Sequence, residues 1–352
     1  MNLIKAFDNK GSKGRKTADN PVASRKPYMT DFQRIIETKA YRRLADKTQA
    51  FSLPEHSHIR TRKVHTDEVI STSMKISELL GLNTELCMAI AAGHDIGHAP
   101  YGHLGEKVLA KIGKKPFHHS VFGPVVAQEI ENRGKGLNLS YETLEGMLLH
   151  ARGKKDLAID YSKPAEYTAV MLADKISYTL GDYSDASYRV GYFPKSQEAF
   201  GLAEKIEKYL GKKTNDRREA CVKALVEQSK KDGMIAFSEG PEHEAFKELR
   251  SMLYSQVYPS IQAHVHETAL TDLYQFIKTD SEFVSKYNGF DPVLFITLLT
   301  DKEVTYFGTR QFISKKNSLE DIEHFGAFEV LPELKDKRID YSEPGLDWLE
   351  KG

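Results

Sequence analysis

Apolar positions along this chain recur mostly at three- and four-residue intervals, and the alternation that strands require is scarce. Phe32, Ile35, Ile36, Ala40, Tyr41 and Leu44 form one such stripe, with Thr30 or Asp31 placed to cap it. A second runs through Val69, Ile70, Met74, Ile76, Leu79 and Leu80, opened by Thr66 and Asp67 and stopped by Gly81. Asn83-Thr84-Glu85 then introduces an apolar helix, Leu86 to Ala92, that runs straight into His94-Asp95. Further helices are predicted over 120–132, 141–150 and 164–184, and 199–277 reads as helical with turns near Gly211 and Gly233. Residues 290–299 fit a helix or a strand, and Phe325 to Val330 reads as a short strand. The expected class is all-α, a helical core with additional C-terminal helices and a short β element.

Residues 1–28 break this pattern with Gly11, Ser12, Gly14, Asn20 and Pro21, and are basic through Lys5, Lys10, Lys13, Arg15, Lys16, Arg25 and Lys26. They read as a flexible basic arm, either solvated or gripping a neighbouring subunit, a nucleotide or a nucleic acid. Behind it come a core over 29–200 and a helical C-terminal region over 201–352. Lys and Arg total 50 against 50 Asp and Glu, so net charge makes no case for a nucleic-acid or membrane protein. No apolar run is long enough to cross a bilayer, and the N-terminus lacks an apolar signal core. The two cysteines, Cys87 and Cys221, sit in no metal-type spacing and make no disulfide scaffold. A cytoplasmic location is expected.

The chemistry concentrates between His94 and Glu106, where three histidines, an aspartate and a glutamate follow an apolar helix. Buried polar groups cost free energy unless something satisfies them, and a divalent metal satisfies several at once. His65, His94, Asp95 and Asp174 are the candidate ligands, each in a helical context. Two imidazoles and two carboxylates suit Mn, Fe, Mg, Zn or Co and leave positions for water and a phosphate oxygen. Taken singly, Asp174 beside Lys175 also suits a core salt bridge.

The ordered set His…His-Asp…Asp resembles the signature of the HD phosphohydrolase superfamily, whose helical core this chain would share. Asp31-Phe32-Gln33-Arg34-Ile35-Ile36, Tyr41-Arg42-Arg43-Leu44, Lys47-Thr48-Gln49-Ala50-Phe51, Arg60 to Thr66, Gly93 to His98 and Tyr101 to Glu106 extend the likeness. Together they resemble the deoxyguanosine triphosphate triphosphohydrolase family over about residues 30–190. The resemblance implies metal-dependent hydrolysis of a deoxynucleoside triphosphate, with dGTP a candidate preference, to deoxynucleoside and inorganic triphosphate. One divalent ion per site is implied, Mn, Mg or Fe foremost, with Zn, Co and Ni as alternatives.

It also implies roles for individual residues. His103 and Glu106, at i and i+3, match a catalytic pair in which the carboxylate orients the imidazole. His119 matches a histidine that contacts the phosphates, although His118 and Ser120 depart from the usual neighbours and leave open which histidine faces the site. His98 would act near the metal or on a phosphate. Arg62 and Lys175 would neutralise phosphate charge, or serve as salt-bridge partners. Tyr178 and Asp182 share a helix face with Asp174; in relatives the tyrosine packs under the sugar, and the aspartate, with the residue matching Gln49, holds the 3′-hydroxyl. Relatives carry His where this chain has Gly181. A homo-oligomer, a hexamer among them, and a nucleotide or single-stranded DNA effector are implied partners. Two competing readings remain: another HD hydrolase acting on monophosphates, guanosine tetraphosphate or cyclic nucleotides, and a nucleotide-sensing or single-stranded nucleic-acid-binding module.

Overall fold

The computed structural model describes residues 4–19, 26–52, 56–151, 159–261, 264–287, 289–334 and 337–349. Its helices are α1 (Pro27–Ile36), α2 (Lys39–Arg43), α3 (Arg62–Leu80), α4 (Thr84–Gly93), α5 (Gly102–Gly113), α6 (His119–Val125), α7 (Tyr141–Leu149) and α8 (Ala165–Asp185). They continue as α9 (Gln197–Leu210), α10 (Thr214–Asp232), α11 (Pro241–Met252), α12 (His264–Thr279), α13 (Ser281–Lys286), α14 (Pro292–Thr297), α15 (Asp301–Ser314), α16 (Leu319–Ile322) and α17 (Leu331–Leu334). The all-α expectation holds: among the described residues extended pairing is limited to two isolated bridges, Arg15 with Ser140 and Thr48 with Thr61.

The short strand expected at Phe325 to Val330 is instead a 3-10 turn, Gly326–Glu329. Its aromatics explain the change: Phe328 packs edge-on against Phe283 and Phe295, which a turn permits and a solitary strand would not. The ambiguous stretch 290–299 resolves as α14, capped by the Asp291 side chain with Pro292 in the first turn. Two helix starts also move. Pro27 opens α1 upstream of Thr30 and Asp31, and Asp31 is buried, accepting from Ser140 and Thr143. Thr61, not Thr66, caps α3, so that His65 falls within the first turns of that helix.

α8 is buried on nearly every side and α4 on most, as expected of helices at the centre of a bundle. Around them the core forms two clusters. One joins α3, α4 and α8 to α9–α11; the other joins α1, α5 and α6 to the residues after 269. The C-terminal region is therefore divided, its first half backing α3 and α8 and its second half backing α5.

The expected basic arm is laid along the core over its described residues 4–19. Phe7 N–H donates to Glu166, Lys13 N–H donates to Glu142, and Arg15 reaches Asp31 and the Asn138 carbonyl. Its Asn20, Pro21 and Arg25 lie outside the described residues. No described helix is long and apolar enough to cross a membrane.

Candidate active site

The site forms where the start of α3, the end of α4 and the middle of α8 meet. α3 carries Arg62 and His65, α4 runs out at His94-Asp95, and α8 carries Asp174, Lys175, Tyr178 and Asp182. His65 Nε2 lies 3.1 Å from Asp174 Oδ1 and 3.8 Å from Asp95 Oδ2. His94 Nε2 lies 3.4 Å from Asp95 Oδ2 and 3.9 Å from Asp174 Oδ1. All four sequence-predicted ligands are thus brought together and buried.

The cluster fits a divalent cation on its own chemistry. His94 donates Nδ1–H to the Ala91 carbonyl at 2.6 Å, leaving its Nε2 lone pair facing the carboxylates, and that buried Nε2 has no hydrogen-bond partner. Such outward anchoring of one ring nitrogen is the usual support of a metal-ligating histidine. Burial opposes ionisation of Asp95 and Asp174, yet the groups around them overcome it. His94, Arg62 and His98 hold Asp95 well below the usual carboxylate range, and His65, Lys175 and His94 do the same for Asp174. Burial likewise opposes a charge on His94, and Asp95 and Asp174 outweigh it, raising its pKa. The electrostatics are those of a site arranged around positive charge.

Arg62 does not hang free toward a phosphate. It donates to Asp95 Oδ2 at 2.7 Å and to the Thr48 and Gln49 carbonyls at 3.1 Å each, fixing a ligand and a cavity wall at once. Lys175 Nζ stands 3.6 Å from Asp174 Oδ2 and over the Tyr178 ring.

The expected His103–Glu106 pair exists at 3.5 Å, with the His103 side chain 69% exposed at the cavity mouth. A closer pair lies behind it. His119 donates Nδ1–H to Glu106 Oε1 at 2.6 Å and is buried, whereas His118, which also lines the cavity, is exposed. His98 sits between Asp95 Oδ1 (3.1 Å) and Glu106 Oε1 (3.2 Å), its ring stacked on that of His119 at 3.7 Å. Burial, Arg62 and His119 push the His98 pKa well down; burial opposes the Glu106 charge, but the surrounding histidines hold its pKa well below the usual range. Gly97 makes this assembly possible, since a Cβ there would meet the His119 carbonyl and the Gly123 nitrogen at 2.4 Å. Without that close approach α6 could not bring His119 beside the His-Asp turn.

Arg62, His65, Asp95, His98, His103, Glu106, His119, Asp174 and Lys175 line one cavity of about 790 Å³, which also takes in Gln49, Tyr178 and Asp182. Asp182 accepts from Tyr258 Oη–H at 2.8 Å through Oδ2, while its buried Oδ1 and the buried Gln49 Oε1 have no hydrogen-bond partner. The Tyr178 hydroxyl is held by Arg250 and by Tyr254, 3.1 Å away. Sequence reasoning missed His150, Arg250, Tyr254 and Tyr258. His150 had a signal: Leu148-Leu149-His150 repeats the motif of an apolar helix ending on a histidine. The tyrosines had none, because a π turn over Leu253–Val257 sets the register that faces both into the cavity.

A family model described as HD domain matches residues 62–183. A deoxyguanosinetriphosphate triphosphohydrolase-like protein of Caldanaerobacter subterraneus subsp. tengcongensis is 37% identical over 253 residues, 72% of this chain and 71% of its own. One from Desulfatibacillum aliphaticivorans is 36% identical over 72% of each chain, and one from Clostridium tetani 33% identical over 86% of this chain and 85% of its own. With the buried His65–His94–Asp95–Asp174 cluster inside the matched region, this extent of identity shows that the chain belongs to the HD-domain deoxyguanosinetriphosphate triphosphohydrolase-like family of metal-binding hydrolases.

Proposed function

We propose that the protein hydrolyses deoxynucleoside triphosphates at the α-phosphate, releasing deoxynucleoside and inorganic triphosphate. The observation that carries this reading is that one cavity is lined both by His65, Asp95 and Asp174 and by Tyr178 and Asp182, with Arg62 and Lys175 among its walls. Its volume falls in the range of about 300–1,000 Å³ typical of small-molecule sites.

His65, His94, Asp95 and Asp174 would hold one divalent ion, Mn, Mg or Fe by ligand type, which supplies an activated water and neutralises charge on the α-phosphate. The water oxygen bonds to the α-phosphorus as the bond from phosphorus to the 5′-oxygen breaks, and the proton that the water gives up balances the one that the leaving oxygen takes. His103, at the mouth and oriented by Glu106, delivers the proton that the leaving oxygen needs. His119 and His98, held against the same carboxylate, face the phosphate path. Lys175 neutralises phosphate charge, and Arg62 keeps Asp95 aligned. The Tyr178 ring, fixed by Arg250 and Tyr254, closes the space a 2′-hydroxyl would need, while the free Asp182 and Gln49 oxygens accept from the 3′-hydroxyl.

The test is incubation with each of the four deoxynucleoside triphosphates and their ribose counterparts in Mn(II), with products separated by ion exchange. Intact triphosphate plus deoxynucleoside, lost in His94→Ala/Asp95→Ala, is the expected result. Release of orthophosphate or pyrophosphate would assign a different hydrolysis, and absence of turnover would favour a sensing or binding role.

A further inference from the structure

Arg60 stands outside the cavity lining, yet it grips the helix that carries Tyr178 and Asp182. Its backbone N–H donates to Asp185 Oδ2 at 3.0 Å, and its Nη1 donates to Asp185 Oδ1 at 2.7 Å. The same Nη1 donates to the Gly181 carbonyl at 3.3 Å. Nε and Nη2 close a fork on Glu68 at 3.0 and 3.2 Å, which fixes the plane of the guanidinium. The group can lie this close to α8 because residue 181 has no side chain; a Cβ there would press on Nε. Arg60 thus holds the backbone on both sides of Asp182.

The charges around it do not balance without Asp182. Arg218 reaches Glu68 at 2.9 Å, and Arg189 joins Arg60 on Asp185. Three guanidinium groups therefore share two carboxylates, and a buried charge without a counterion is costly. Asp182 supplies the missing anion. Burial opposes the charge on Arg60 and on Asp182 alike, and each favours the charged form of the other. Tyr258 anchors Asp182 Oδ2 at 2.8 Å, while the buried Oδ1 has no hydrogen-bond partner. Such an acceptor is costly until a ligand donates to it.

We infer that Arg60 is a positioning residue for substrate selection: by clamping the Gly181–Asp185 stretch it holds Asp182 in the cavity wall as an acceptor, and so sets how strictly the protein demands a 3′-hydroxyl. Arg60 touches no substrate and acts through Asp182 alone. A nucleotide lacking the 3′-hydroxyl leaves Oδ1 unpaired, and a site built to accept a hydroxyl rejects the analogue without one. The inference rests on Tyr178 and Asp182 forming the sugar site and is independent of which phosphate bond is cut.

Full-length protein is titrated calorimetrically with dGTP and with 2′,3′-dideoxyguanosine triphosphate in the presence of a chelator, and kcat/KM for both is measured with Mn(II). The wild type should favour dGTP by about 10- to 100-fold, the range of a hydrogen bond to a charged group. Arg60→Met should cut that ratio to a few-fold by weakening dGTP alone. Arg60→Lys, which keeps a cation beside Asp182 and Asp185, should retain most of it. Glu68→Gln loosens the fork without removing the Arg60 charge, so it should lower the urea midpoint and leave the ratio intact. If Arg60→Met does not fold, Arg60→Gln carries the same comparison. An unchanged ratio in the Arg60 variant, or an equal loss for both nucleotides, would assign Arg60 to structure alone and overturn the inference. A wild type that binds both nucleotides equally would overturn it too. Binding is read without turnover, so a ratio that collapses in Arg60→Met supports the inference even where Mn(II) brings no hydrolysis, and only the proposed reaction then fails.

Discussion

His119 and Glu106 share a 2.6 Å hydrogen bond across 13 residues of sequence, a closer contact than His103 makes from one helical turn away. The carboxylate thus serves three imidazoles, since His98 Nδ1 also lies 3.2 Å from the oxygen that His119 uses. Glu106→Gln keeps the size of the side chain and removes the charge that orients these rings. General acid–base groups contribute about 10²- to 10⁴-fold, and a loss of that order in kcat is expected. KM should move far less, because the substituted group does not contact the sugar. Steady-state kinetics on the preferred deoxynucleotide decide the matter: a wild-type kcat would mean that Glu106 supports structure alone.

Asp301, the first residue of α15, reaches back into the catalytic half. Its carboxylate accepts from Thr48 N–H at 2.9 Å, from the Thr48 hydroxyl, and from Tyr101 N–H at 2.8 Å. One side chain therefore ties the Gln49 segment to the turn that follows His98. Asp301→Ala leaves these buried donors unpaired, and each such group costs about 1–3 kcal/mol. The expected variant unfolds at lower urea and shows weaker substrate binding, with Asp301→Asn in between. An unchanged denaturation midpoint in Asp301→Ala would show that water replaces the carboxylate freely.

The contrast between Glu106 and Asp301 marks what the sequence made legible. Residues on one helix declare themselves by spacing, so the sequence alone puts Asp174, Tyr178 and Asp182 on one face and His103 beside Glu106. The helical class was equally readable, because amphipathic periodicity is a local property. Contacts over long separation were not. Nothing local to Thr300-Asp301 says that Thr48 lies above it, and nothing in Tyr254 or Tyr258 reveals the π turn that aims them. Phe325 to Val330 departs from the expected strand because the Phe328 ring fills a gap among Phe283, Tyr287 and Phe295, a contact that its own sequence does not announce. His150 lay in between: its motif was present, but the parallel with His94 emerges only when both rings are seen anchored to carbonyls.

Gly181 is explained by Arg60. A Cβ at 181 would lie 2.9 Å from Arg60 Nε and 3.0 Å from its Cδ. Arg60 has little room to yield, since it is paired with Glu68 at 3.0 Å and Asp185 at 2.7 Å and also donates to the Gly181 carbonyl. Helix propensity alone favours Gly181→Ala by about 1 kcal/mol. Crowding of a filled interior opposes it by about 1–3 kcal/mol. Net destabilisation is expected, and Gly181→His should be worse because the larger ring must displace the guanidinium altogether. Thermal unfolding of both variants provides the check; a more stable Gly181→Ala would show that Arg60 swings aside without loss.

Asp182 gives the protein a distinct pH signature. Burial drives its pKa up from 3.8 to about 7; the hydrogen bond from Tyr258 opposes that rise, and Asp185 adds to it. Between the unfolded and folded values the native state holds a proton that the unfolded chain has released. Stability from this group is therefore present at low pH and declines as pH rises from about 4 to about 7, by an amount on the order of a few kcal/mol. The direction is opposite to that of Asp95, Asp174 and Glu106, whose lowered pKa values add stability as pH rises up to and through the ordinary carboxylate range and leave it constant above. Asp182→Asn cannot ionise and removes only the first trend. Melting temperatures measured at pH 5 and pH 8 should then differ between the two proteins in a defined way, the variant gaining relative to wild type at the higher pH. Parallel melting curves across that range would place the Asp182 pKa near that of an ordinary carboxylate and leave its free oxygen already ionised for the substrate.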